Sequence, residues 1–137
     1  MKQRTIYITQ FDQKRLEELL DVARMFGGGR EDLQALEGEL RRARIVSPQE
    51  VPPDVVTMNS KVLLRDIDTS ETMIYTLVFP KDADIDNGAV SVLAPVGTAI
   101  LGYREGDEIQ WRVPSGLRRL RIEKVLYQPE AAGDYHL

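Results

Sequence analysis

Apolar residues recur at helical spacing in the first third of the chain and at strand spacing in the rest. Leu16, Leu19, Ala23 and Phe26 step by 3, 4 and 3, and beyond Gly27-Gly28-Gly29 the residues Leu33, Leu36, Leu40 and Ala43 repeat those steps. Each run therefore carries one apolar seam of a helix. Asp12 suits the start of the first helix, and the three glycines cannot continue it. Glu31 and Asp32 fall in the first turn of the second helix, where carboxylates complement exposed N–H groups, and Arg41, Arg42 and Arg44 close its far end. The seams bury each other only if the helices run antiparallel. A helical hairpin, a short coiled coil, is thus predicted over residues 1–46, with arms of about 14 residues or roughly 21 Å.

From Ser47 the texture changes. Ser47-Pro48 and Val51-Pro52-Pro53-Asp54 exclude a regular helix and read as a linker. Strands are predicted at 55–58, 61–65, 73–79, 90–93, 108–113 and 120–127, with turns at 66–71, 81–88 and 114–116. Pro95 to Leu101, capped by Gly102, forms the one short helix. The predicted fold class is α+β, with residues 47–137 forming a small antiparallel sheet on which that helix packs.

Composition narrows the chemistry. No run in the 137 residues approaches the ~20 apolar residues of a membrane helix, and the N-terminal apolar stretch is too short for a signal peptide, so a cytoplasmic protein is expected. The chain lacks cysteine and has one histidine, His136, which removes thiolate metal sites, thiol nucleophiles and a well-placed Ser-His-Asp set. No catalytic residue, metal or cofactor is expected. A net charge of -4 argues against a nucleic-acid coat, and the charge is uneven: residues 1–46 hold nine basic and eight acidic residues, residues 47–137 nine and fourteen.

Several motifs have a bland reading that outweighs the functional one. Gly27-Gly28-Gly29-Arg30 follows a helix rather than a strand and lacks the Lys-Ser/Thr of a phosphate loop, so it is a hairpin turn. Glu31 and Asp32 at the tip point about 100° apart and complement the helix dipole. Arg118, Arg119 and Arg121 alternate with Leu120 and Ile122, which places Arg119 and Arg121 on a wet face; direct nucleic-acid binding is a weak alternative. Trp111, Tyr75, Phe79 and Tyr103 read as core before they read as a pocket. Asp82, Asp84 and Asp86 alternate as in a calcium loop, but Gly88 stands at position 7 and Leu93 at position 12, so this is a charged turn.

The segment Val90-Ser91-Val92-Leu93-Ala94-Pro95-Val96-Gly97-Thr98-Ala99-Ile100-Leu101-Gly102-Tyr103-Arg104-Glu105-Gly106-Asp107-Glu108-Ile109 resembles the C-terminal domain of the Gre transcription elongation factors. The runs from Pro53 to Val62 and from Tyr127 to Tyr135 resemble the bacterial regulator of nucleoside diphosphate kinase family, and the likeness spans nearly the whole chain. What it implies is an N-terminal coiled coil, shorter than that of the cleavage factors, on an FKBP-like C-terminal domain. It further implies docking on RNA polymerase at the secondary-channel rim through Leu93, Ala94 and Pro95, with the hairpin tip, Gly27 to Asp32, pointing toward the channel. The cleavage factors carry polar or acidic residues in place of Leu93 and Ala94. Their tip presents an Asp and a Glu three residues apart, whereas here Glu31 is followed at that spacing by Gln34 and Asp32 by Ala35. The resemblance thus implies a monomeric, non-enzymatic regulator that competes with Gre-type factors without stimulating transcript cleavage. The alternatives are a direct protein regulator of nucleoside diphosphate kinase, a weak DNA-binding module, and an FKBP-type prolyl isomerase with a pocket around Trp111.

Overall fold

The computed structural model describes residues 5–25, 30–113, 116–135 and 137, with the side chains of 30–32 and 111–113 outside the description. The two helical runs form α1 (Gln10–Met25) and α2 (Arg30–Arg42). Leu16 and Leu20 on α1 and Leu33, Leu36 and Leu40 on α2 are buried, with Leu19, Ala23 and Ala43 packed against the same core. An ion pair between Arg24 Nη2 and Glu37, 2.8 Å long, crosses between the helices. Thr9, not Asp12, supplies the cap: its Oγ1 accepts the Asp12 N–H at 3.0 Å. The predicted turn at Gly27, Gly28 and Gly29 lies outside the described residues.

Periodicity did not reveal two three-residue strands flanking the hairpin, β1 (Tyr7–Thr9) and β2 (Arg44–Val46), which pair in parallel. Parallel strands require a crossover connection, and the helical hairpin is that crossover. The remaining elements are β3 (Lys61–Asp66), β4 (Thr72–Val78), β5 (Ala89–Ser91), α3 (Pro95–Ile100), β6 (Glu108–Val113), β7 (Gly116–Tyr127) and α4 (Pro129–Ala132).

These five strands make one sheet in the order β5-β4-β3-β7-β6. Contrary to the sequence expectation the sheet is mixed: β3, β4, β6 and β7 pair antiparallel, but β4 and β5 are parallel. Residues 79–88, with two 3-10 turns, carry the chain back before it re-enters the edge. Residues 55–58 are buried but are not a strand; Val55 makes only an isolated bridge with Arg104. Their backbone is satisfied by tertiary bonds, since the Val56 N–H donates to Tyr103 O and the Gly102 N–H to Val56 O, both at 2.8 Å. A second short helix, α4, joins the expected one.

One core spans both regions. Ile6, Ile8 and Leu16 pack in the same cluster as Val56, Met58 and Leu101. Gly102 fixes this junction: it adopts φ +82°, its carbonyl accepts the Tyr7 N–H at 3.1 Å, and a Cβ there would lie 2.8 Å from Ile6 Cβ. The segment read as a linker is closed by bonds from the Glu50 N–H to Ser47 O and from Ser47 Oγ to Glu50.

Candidate functional site

Leu93, Ala94 and Pro95 connect β5 to α3, and the local sequence holds them in a tight corner. Ser91 Oγ accepts the Leu93 N–H at 3.1 Å, and Ser91 O accepts the Ala94 N–H at 3.0 Å. Ala94 is extended (φ -69°, ψ 149°) and Pro95 opens the helix, where its missing N–H costs nothing. Thr98 ties the corner from inside, donating its N–H to Ala94 O and its Oγ1 hydroxyl to Val92 O at 2.6 Å. At Gly97 a Cβ would fall 2.1 Å from Ser91 O, so only glycine lets the helix close on the strand. Leu93 is half-buried against the core, Ala94 is half-buried, and Pro95 is exposed.

Ala94 and Pro95 border an apolar groove of about 470 Å³, lined also by Tyr75, Ala83, Ile85 and Val90. Ile85 is 69% exposed. In sequence, residues 82–86 read as a charged turn, yet the alternation Asp82-Ala83-Asp84-Ile85-Asp86 places one large apolar side chain between acids. At the hairpin tip, the backbone of Arg30, Glu31 and Asp32 starts α2, and their side chains lie outside the described residues. Trp111 is in β6, with its side chain outside the description, and His136 is not among the described residues. Among the described residues no cluster of acids or histidine could hold a metal ion.

A second feature, invisible to periodicity, is polar and internal. Asp12 is 1% exposed; its Oδ1 meets Arg15 Nη2 at 2.5 Å and its Oδ2 accepts the Met58 N–H at 3.1 Å. Burial raises its carboxyl from 3.8 to about 6, outweighing the opposing pull of Arg15 and the Met58 N–H. The Arg15 guanidinium also donates to Leu137 O at 2.8 Å and stacks on the rings of Phe11 and Phe79, at 4.0 and 4.8 Å. Beside this pair Thr57 donates its hydroxyl to Glu130 at 2.7 Å, and Ser60 Oγ accepts the Thr57 N–H. Gln128 Nε2 donates to Pro52 O and Val55 O, each at 2.8 Å, while its Oε1 caps α4 by accepting the Ala131 N–H. Tyr127 donates to Asp134, which pushes the phenol up to about 12. The two long sequence motifs, Pro53–Val62 and Tyr127–Tyr135, are thus two sides of one clamp that seats the hairpin and the tail.

The arginines of β7 have partners on the protein itself. Arg118 Nε contacts Asp66 at 2.7 Å, Arg119 Nη2 contacts Asp68 at 2.6 Å and Arg121 Nη2 contacts Glu108 at 3.5 Å. The Arg118 bond, aided by the Thr69 N–H, holds the Asp66 carboxyl below its ordinary range. Leu120 and Ile122 are buried between them, as their alternation predicts.

Comparison with known proteins gives this architecture its relatives. The family model described as transcription elongation factor, GreA/GreB, C-term matches residues 51–127, and the one described as Rnk N-terminus matches residues 4–46. The regulator of nucleoside diphosphate kinase of Escherichia coli K12 is 45% identical, with all of both chains covered. The transcription elongation factor GreA of Syntrophotalea carbinolica is 34% identical over 69% of this chain and 60% of its own. Among solved structures, the prokaryotic transcription elongation factor GreA/GreB from Nitrosomonas europaea is 44% identical and superimposes with a TM-score of 0.75, covering 91% of this chain and all of its own. These relatives carry the names of regulators and elongation factors, not of enzymes. The chain belongs to the regulator of nucleoside diphosphate kinase family, with a GreA/GreB-type C-terminal region behind an Rnk-type N-terminus.

Proposed function

We propose that this protein is a non-enzymatic transcription regulator that binds RNA polymerase at the rim of the secondary channel, through the corner Leu93-Ala94-Pro95, and competes there with Gre-type factors. The observation that carries this reading is the apolar ledge of half-buried Ala94 and exposed Pro95 over an open groove, in the region that matches the GreA/GreB C-terminal model. On this reading residues 1–46 act as a short coiled-coil arm and residues 47–137 as an FKBP-like docking domain, in a monomer. The arm is short: 16 and 13 residues of helix, roughly 24 and 20 Å. With Gln34 and Ala35 standing three residues after Glu31 and Asp32, the tip lacks the acidic pair of the cleavage factors and transcript cleavage is not stimulated.

The test is a stalled elongation complex supplied with a Gre-type cleavage factor and increasing amounts of this protein. Inhibition of cleavage by the competitor, with none stimulated by this protein alone, supports the proposal. Unaltered cleavage at saturating protein contradicts it. The name of the Escherichia coli relative favours a second reading, direct binding to nucleoside diphosphate kinase, which requires a stable complex of the two purified proteins without polymerase.

A further inference from the structure

We propose that the groove beside Pro95 receives a basic, apolar segment of RNA polymerase, with Ile85 as the apolar anchor and Asp82 and Asp86 selecting the positive charge around it. This rests on the polymerase-binding reading and adds the chemistry of the partner.

The anchor is built into a rigid turn. The Asp84 N–H donates to Ala89 O and the Ala89 N–H to Asp84 O, both at 2.9 Å, while the Asn87 N–H donates to Asp84 O and the Gly88 N–H to Ile85 O. Asn87 Nδ2 adds a bond to Asp84 Oδ2 at 2.5 Å. Gly88 closes the turn at φ +75°, where a Cβ would lie 2.9 Å from Ile74 O. A loop bonded this thoroughly has no need to leave an isoleucine in water, yet Ile85 is 69% exposed at the lip of an apolar groove. A fixed, exposed apolar side chain loses little freedom on docking, which favours a protein partner.

Charge identifies the partner's sign. Residues 47–137 carry the chain's excess of acids, nine basic against fourteen acidic residues. On and beside the sheet several acids are matched by arginine: Asp54 by Arg104, Asp66 by Arg118, Asp68 by Arg119, Glu108 by Arg121 and Glu123 by Arg65. Asp82, Asp84 and Asp86 are all exposed, and Asp84 is engaged by Asn87. Among the described residues no lysine or arginine pairs with Asp82 or Asp86. Their charges are open to a cation on an approaching partner. An acidic nucleic-acid backbone is disfavoured, and a segment offering one apolar side chain between lysines or arginines fits.

The experiment titrates the full chain against core RNA polymerase at about 50 and about 200 mM salt, where screening differs by a factor of about two in length. Wild type is compared with Ile85→Ser and with Asp82→Asn/Asp86→Asn, and thermal melting monitors the fold of each. Wild-type binding should weaken with salt. The double Asn variant should bind several-fold more weakly at low salt and lose most of that dependence, and Ile85→Ser should weaken binding roughly tenfold at both salts. Wild-type-like binding by both folded variants would overturn this inference and leave the polymerase reading standing. Absence of wild-type binding at either salt would overturn both.

Discussion

Where α1, residues 55–60 and α4 meet, polar side chains are buried; beside α3, apolar side chains stand in water. Both places depart from the usual partition, in opposite directions. At the first, Asp12, Thr57 and Glu130 are nearly sealed from solvent, and each has a partner on another element: Met58, Glu130 and Thr57 respectively. A buried polar network of this kind is stable in only one arrangement, so it fixes how the hairpin and tail sit on the sheet. At the second, Ile85 and Pro95 are exposed although the surrounding turns are fully bonded. The folded chain gains nothing from their exposure, and the free energy of covering them is available to a partner. On the proposed reading, the contrast separates residues that define the shape from residues that act through it.

Substitutions should respect that separation. The largest loss of stability is expected at the corner between β5 and α3: Gly97→Ala places a methyl 2.1 Å from Ser91 O and should cost about 3 kcal/mol in urea unfolding, because backbone on both sides must move. Gln128→Ala removes the donor to Val55 O and the cap of α4 and should cost about 2 kcal/mol by the same measurement. A stability close to wild type for Gln128→Ala would show that the clamp is ornamental.

Asp12 gives a pH signature. Its carboxyl is raised from 3.8 to about 6 by burial, opposed by Arg15 on α1 and the Met58 N–H and assisted by Glu130 on α4. The folded state therefore holds this proton more tightly than the unfolded chain. Its contribution to stability is complete below about pH 4 and is lost as pH rises through about 6. Asp12→Asn removes that titration, so the difference between wild-type and variant unfolding free energies should change across this window and flatten above about pH 7. A constant difference from pH 4 to 7 would contradict the assignment. The smallest stability effects are expected at the exposed surface: Ile85→Ser and Pro95→Asp should each stay within about 0.5 kcal/mol of wild type, with Asp acceptable in the first turn of a helix.

Much of this was legible in the sequence where period and burial coincide. The steps from Leu16 to Ala23 and from Leu33 to Ala43 found the hairpin, and the alternation around Leu120 and Ile122 found a central strand. The resemblance of residues 90–109 pointed to the corner Leu93-Ala94-Pro95, whose docking role is the proposal. What escaped has physical reasons. Three-residue strands such as β1 and β2 are too short for alternation to register. Residues 55–58 are apolar because they are buried on all sides, a pattern a strand shares, and only their tertiary hydrogen bonds distinguish the two. The parallel pairing of β5 depends on the path of residues 79–88, which no local rule determines. Asp12 does lie in the first turn of α1, but a carboxylate there needs no further role, so its burial against Met58 escaped, and Ile85 is masked by the acids on either side.

The most direct test of the proposed division between shape and action is a titration of fluorescently labelled wild-type protein and its Pro95→Asp variant against core RNA polymerase, with Gln128→Ala as the control for fold. Saturable wild-type binding, displaced by a Gre-type factor, abolished or weakened by Pro95→Asp and retained by whatever fraction of Gln128→Ala is folded, is the expected result. Equal binding by wild type and Pro95→Asp, or no binding by the folded wild type, would contradict it.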